Sequence, residues 1–341
     1  MIVQSGGNLK WNSNVKSEQN TLMDTNGNLK FIYPNYLKNI TSYSIPAEIT
    51  NWDYLLPSNI TEIKATDKLS NITAVALPSS ITSINIDPNN KNLKVITDSN
   101  NNKMLIDKNC NLVYYYGNKN KSVTITDKIK FNTNDTPKVI NYINRHSLKD
   151  LNAEEVEINA KNLGRTMFGW NVFVKTLTIG KDVENVNQMY YARGYDYNLI
   201  VNSENTKYYT DKNFLYELNG ENYILRRCIK RSKEINLPAT VNNGKKVTEI
   251  GEESFYSNQL IESADLTNTE ITTIDNNAFN NCSNLKEIKL SNKVTTLQEK
   301  CFSSCLNLNS VYMATSEKNN KISGAPWGAT KGDRAIKWLS Q

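Results

Sequence analysis

His146 is the single histidine of the chain, in the stretch "NYINRHSLKD", and any nucleophilic chemistry built on an imidazole would have to pass through it. Five cysteines, at 110, 228, 282, 301 and 305, could each supply a thiol, and a cysteine beside a histidine is activated as its thiolate. Catalysis, however, needs convergent groups: a nucleophile with its base, paired carboxylates or a metal. No such constellation assembles from these residues. The cysteines lack paired CxxC spacing, and one histidine cannot complete a zinc site, so neither a zinc centre nor a full disulfide framework is expected. The reading is a protein that is not an enzyme and that takes no cofactor and no metal.

Two clusters could bind rather than react. In "QMYYARGYDYN", residues 188 to 198, Tyr190, Tyr191, Tyr195 and Tyr197 surround Arg193 and Asp196. Aromatic faces beside hydrogen-bonding groups suit sugar recognition; they equally suit a subunit interface, or tyrosines that shield a loop. In "RRCIKRSK", residues 226 to 233, Arg226, Arg227 and Arg231 stand with Lys230 and Lys233. A phosphate-bearing polymer such as a teichoic acid could bind there. Sibling segments also carry lysine at this turn, which favours a solvated basic turn.

The elements that must position these residues follow from repetition. Counting from Phe279, apolar or small residues fall at Ile274, Cys282, Leu285, Ile288 and Leu290. From Phe302 the same offsets give Leu297, Cys305, Leu308, Val311 and Met313. Phe255 gives Ile250, Asn258, Ile261, Ala264 and Leu266, and Phe168 gives Leu163, Asn171, Val174, Leu177 and Ile179. Phenylalanines at 255, 279 and 302 set a period of about two dozen residues, the mark of stacked coils. The Ile288-x-Leu290 type of ending alternates as a short strand, and "NNAFNNCSNL" has the spacing of a short helical or irregular turn. Cys282 and Cys305 fall on the inward position of adjacent coils with Cys301 nearby. Reduced core thiols explain them without chemistry, and a disulfide there stays open.

A second strand-like phrase, Leu290, Val294, Leu297, recurs as Leu77, Ile81, Ile84, as Leu56, Ile60, Ile63, and as Ile45, Ile49, Trp52. Longer variants near 21–46, 104–125 and 214–238 read as inserted β-hairpins, two of them with Asn-Gly turns. "NIT" at Asn39, Asn59 and Asn71 matches a glycosylation acceptor, but its recurrence inside strand-turn phrases explains it better.

A formal charge of +6, from 40 basic and 34 acidic residues, argues only weakly for nucleic acid, and none is expected as a partner. No run of apolar residues is long enough to span a membrane, so no membrane insertion is expected. "MIVQSGGNLKWNSNVKSEQN" has no basic segment leading into an apolar run, and no secretory signal is read there.

"EIGEESFYSNQLIESADL", "TIDNNAFNNCSNLKEIKLSNKVTTL" and "LQEKCFSSCLNLNSVYM" resemble the BspA-like leucine-rich repeats of bacterial surface proteins. The resemblance implies an α/β solenoid: a right-handed leucine-rich-repeat coil of short strands with short helical or irregular connections and inserted hairpins. The organisation expected is an N-terminal cap or attachment segment over 1–20, the solenoid over 21–315, and a C-terminal cap over 316–341 in which Pro326, Trp327 and Trp338 cover the last coil. "GAPWGA" followed by "AIKW" looks like an ending of cell-surface and phage tail proteins of Gram-positive bacteria. The expected function is recognition of a bacterial cell-surface protein or glycopolymer, as a receptor-binding component of a phage tail or tail-like bacteriocin, carried on the particle beside other tail subunits. The alternative is a secreted or wall-anchored adhesin that binds host or bacterial proteins. A homo-oligomer fits either setting.

Overall fold

The computed structural model describes residues 9–12, 21–24, 26, 28–32, 37–98, 101–117, 120–125, 128–169, 172–186, 197–313, 322, 327–329 and 336–338. The chain divides into two compact units, Met1–Val174 with Asp182–Tyr195, and Lys175–Lys181 with Asp196–Gln341.

In the second unit the repeat becomes two parallel ladders. One stacks Glu234–Asn236, Ser263–Asp265, Glu287–Lys289, Ser310–Met313 and Ile336–Trp338. The other stacks Asn222–Cys228, Lys245–Ile250, Thr273–Ile274 and Thr296–Leu297. Register keeps equivalent residues opposite one another: Ile235, Ala264, Ile288 and Val311 form one inward column, and Ile250, Ile274 and Leu297 another. One coil alone could not bury its apolar side; stacked, these columns enclose a continuous core. Phe255 and Phe279 lie face to face at 4.6 Å with ring planes 3° apart, and Phe302 follows at 5.7 Å. Trp327 joins the same core, and its carbonyl accepts the Phe302 N–H at 3.0 Å. Pro326 lies outside the described residues.

The first unit repeats the scheme. Ser42–Ser44, Glu62–Ala65 and Ser83–Ile86 form one parallel ladder, and Asn51–Trp52 pairs with Asn71–Ile72. Ile140–Ile143 pairs with Ala160–Leu163, and Ser122–Ile125 with Glu155–Ile158. Threonines and asparagines at the coil turns saturate the backbone of the coil before. Thr61 and Thr82 donate to the carbonyls of Thr41 and Thr61, and Asn59 donates to Leu37 and Ile40, both at 2.6 Å. The recurrent "NIT" is therefore a stacking device at Asn59, whose side-chain nitrogen is already engaged.

The helical element of the sequence-based expectation is corrected. Among the described residues the one helical stretch with both ends described is the three-residue 3₁₀ turn Ala74–Ala76. The "NNAFNNC" type of segment cannot wind into an α-helix, because Asn277 and Asn281 are left-handed at φ 55° and 60°, and so are Glu253 and Ser257 around Phe255. Each left-handed residue turns the chain out of the i→i−4 path. The amides bond three residues back, as Cys282 does to Phe279, or to the neighbouring coil, as Phe279 does to Cys301 at 2.8 Å. The connections are therefore chains of tight turns, and the coil is a β-solenoid with almost no helix.

Among the described residues three antiparallel pieces interrupt the coils, besides the short pairing of Thr240–Val241 with the start of Lys245–Ile250. Thr21–Asp24 pairs with Leu9–Asn12 on one side and Leu29–Ile32 on the other. In the remaining two, Leu93–Thr97 precedes the hairpin Lys103–Asp107 with Asn111–Tyr116, and Tyr208–Thr210 precedes Phe214–Asn219 with Asn222–Cys228. Buried Asn90 and Asn205 begin these two pieces in the same way. Asn205 donates to Gly180 O and accepts from the amides of Lys207 and Tyr208, while Asn90 donates to Thr66 and Leu69 and accepts from Asn92 and Leu93.

Candidate functional site

The residues with potential reactivity are held in forms that oppose it. His146 is buried and left-handed at φ 59°, and its Nε2 accepts Arg145 Nε at 3.1 Å. Burial first, then Arg145 and Lys149, hold its pKa below the ordinary histidine value. All five cysteines are free thiols. Cys282 and Cys305 donate to the carbonyls of Phe255 and Phe279 at 3.1 and 3.0 Å, which explains why a thiol suits that position of the repeat. Burial pushes the Cys228 and Cys305 thiols up to about 12 and raises Cys110, Cys282 and Cys301 as well. A nucleophilic cysteine needs the opposite shift. Among the described residues no group of three or more His, Cys, Asp or Glu side chains could hold a metal ion. Native protein at pH 8 is accordingly expected to leave Cys282, Cys301 and Cys305 unlabelled by a thiol reagent over minutes, and to release them on unfolding; prompt labelling of the folded protein would contradict the burial assigned here.

The basic stretch does not act as one patch. The register of the Phe214–Asn219 and Asn222–Cys228 hairpin shifts between Leu215 and Tyr216, and Arg226 is left over on the second strand. Its Nε donates to Glu217 at 2.6 Å, and Lys207 pairs with the same carboxylate at 3.1 Å. Arg227 donates to the Glu253 carbonyl at 2.5 Å. Arg231 is exposed, and Lys233 pairs with Glu262 at 2.8 Å. Of the tyrosine cluster, Tyr190, Tyr191, Arg193 and Tyr195 lie outside the described residues; Tyr197 is half-buried just before the strand Asn198–Val201.

What the second unit does present is an ordered outer face. Outward from the ladder that begins at Glu234–Asn236 run two columns, Glu234, Ser263, Glu287 and Asn236, Asp265, Lys289, Tyr312, the first of them closed by the buried Ser310. Along its margin Glu262 sits between Lys233 and Lys286, at 2.8 and 2.6 Å. Hydrogen bonds from these two lysines bring the Glu262 carboxyl down to about 2. Between this margin and the first column lies a depression of about 260 Å³ lined by Lys233, Glu234, Glu262, Ser263, Lys286 and Glu287. Rungs spaced by roughly 4.8 Å repeat donors and acceptors along the coil axis, which suits an extended ligand more than a compact one. Reading the sequence by columns would have revealed the face: Glu262, Lys286 and Asn309 stand at one offset from Phe255, Phe279 and Phe302.

Residues 221–324, which include this face, match the BspA type leucine rich repeat region, in six copies. Over these residues the chain is a BspA-type leucine-rich repeat region. Three solved structures are similar to parts of the chain. A leucine-rich repeat protein from Bacteroides capillosus ATCC 29799 is 22% identical over 39% of this chain and 99% of its own, with a TM-score of 0.34. The pneumococcal vaccine antigen PcpA is 12% identical over 92% and 81%, at 0.43. A leucine rich cell surface protein from Faecalibacterium prausnitzii A2-165 is 12% identical over 90% and 97%, at 0.31. Scores of this size leave the family assignment to the repeat itself. No curated protein matches the chain.

Proposed function

We propose that this BspA-like protein is a non-enzymatic recognition protein of the bacterial surface, an adhesin that binds proteins or glycopolymers of a host or of other bacteria. The observation that carries this reading is the BspA-type region at 221–324, with its outward columns of polar residues in constant register. Repeated weak contacts at fixed spacing sum to affinity for a polymer or a repetitive surface. An open depression smaller than the usual small-molecule pocket fits the same use. No cofactor enters this reading.

The test is binding of labelled protein to host matrix proteins and to intact bacterial cells, before and after removal of wall polysaccharide. Two variants accompany it: Glu234→Lys with Glu287→Lys, and alanine at Tyr190, Tyr191, Tyr195 and Tyr197. Saturable binding weakened at least ~10-fold by the glutamate variant would place recognition on the ladder face. Loss in the tyrosine variant alone would move it to the tyrosine loop, and binding confined to wall polysaccharide would favour a glycopolymer over a protein. Absence of binding to every surface would overturn the proposal.

A further inference from the structure

The charges around the ladder-face depression are not all spent within the protein. On its margin, Lys233 and Lys286 both bond Glu262, at 2.8 and 2.6 Å, and in the outer column Lys289 lies 3.9 Å from Asp265. Glu234 and Glu287, on the other wall, have no cation within 4.0 Å among the described residues. Glu234 is exposed and Glu287 half-buried. Both stand opposite Ser263 in the parallel register, one coil to either side of it, and the Ser263 hydroxyl makes no hydrogen bond within the described residues. Two rungs of the ladder set the two carboxylates about 9.6 Å apart along the coil axis. The unanswered charge of the depression is therefore a pair of carboxylates at fixed spacing with a hydroxyl between them.

We propose that this depression docks a basic polypeptide in the polyproline II conformation, with lysine or arginine at every third residue seated against Glu234 and Glu287. A polyproline II chain has three residues per turn and rises about 3.1 Å per residue, so side chains three apart share one face at about 9.3 Å. An extended β-strand repeats its same-face positions at about 6.8 or 13.6 Å and misses the interval. The lysines of the margin fit the same occupant. Each ammonium has three N–H donors and gives one to Glu262, so donors remain for carbonyls, and a polyproline II chain leaves every carbonyl without an internal partner. Cations are thereby directed to the column side and backbone oxygens to the margin. The inference rests on the adhesin reading and names the chemistry of its partner.

The probe is a fluorescein-labelled (Pro-Pro-Lys)4 peptide, followed by anisotropy on the full chain. Its control has the same composition rearranged as Pro-Pro-(Pro-Lys)4-Pro-Pro, in which no two lysines are three residues apart. Saturable binding of the first peptide, several-fold tighter than of the second, is the expected result. Glu234→Gln and Glu287→Gln should each weaken it about threefold and the double variant about tenfold. Glu299→Gln removes the same charge from an exposed turn off the ladder and should change nothing. Equal affinity for both peptides, or undiminished binding in a folded double variant, would overturn the docking site. Tighter binding of a glucosamine oligomer with the same number of amines would overturn the polypeptide as its occupant. Binding to matrix proteins or cells that the double variant retains, and that the peptide does not compete, would overturn this partner and leave the adhesin reading standing. Binding of the peptide with no binding to any such surface would overturn the adhesin reading alone.

Discussion

Phe279→Ala is expected to destabilise the protein by about 4 kcal/mol, within the range for emptying a fully buried phenylalanine site. The ring is wholly buried and sandwiched by Phe255 at 4.6 Å and Phe302 at 5.7 Å, so its removal opens a void between two coils at once. Neither neighbour can simply collapse into that void, because each is fixed by backbone bonds to its own adjacent coil: Phe255 N–H to Ala278 O, and Phe302 N–H to Trp327 O. In a stacked coil each repeat is stabilised by the interfaces with its neighbours, and this change weakens two of them. Denaturant unfolding of the variant, beside Leu306→Ala, reads the effect. Leu306 is 58% exposed on the coil that follows, and its truncation should change stability by no more than about 0.5 kcal/mol. A Phe279→Ala cost as small as that of Leu306→Ala would mean that the phenylalanine column does not hold the coils together.

The same column shows why so much of the coil was legible. Phe255, Phe279 and Phe302, with Ile261, Leu285 and Leu308 behind them, are all buried, because an inward position tolerates only apolar or small side chains and so repeats visibly. The turns were not legible in this way. Glu253, Asn277 and Ser304 differ in type but share a left-handed backbone, and a spacing that fits a helical turn also fits two tight turns in succession. Strands Leu93–Thr97 and Tyr208–Thr210 escaped for a related reason: each is announced by one buried asparagine whose partners lie a coil away, at Thr66 and Leu69 or at Gly180. The basic stretch 226–233 misled by proximity in sequence. A register shift turns Arg226 toward Glu217, and Arg227 reaches Glu253 in the next coil, so charges that are neighbours in the chain serve different partners.

Gly164→Ala should be the most damaging single-methyl change in the first unit, costing about 3 kcal/mol or more by forced overpacking. A Cβ at this position would lie 2.0 Å from the Ile143 carbonyl oxygen and 2.9 Å from the Tyr142 ring, and a backbone oxygen in a paired strand cannot step aside as a flexible side chain can. The equivalent glycine of the second unit is a graded control. At Gly251 the added carbon would meet Leu225 O at 3.0 Å and the movable end of Arg226 at 2.9 Å, so Gly251→Ala should cost clearly less. Gly117 separates steric from conformational need: it is left-handed at φ 78° with open space around it, and Gly117→Ala should lose only about 1 kcal/mol. Thermal unfolding of the three variants therefore ranks them Gly164 well above Gly251 and Gly117. A Gly164→Ala protein as stable as the parent would mean that these two coils are not packed as closely as their register requires.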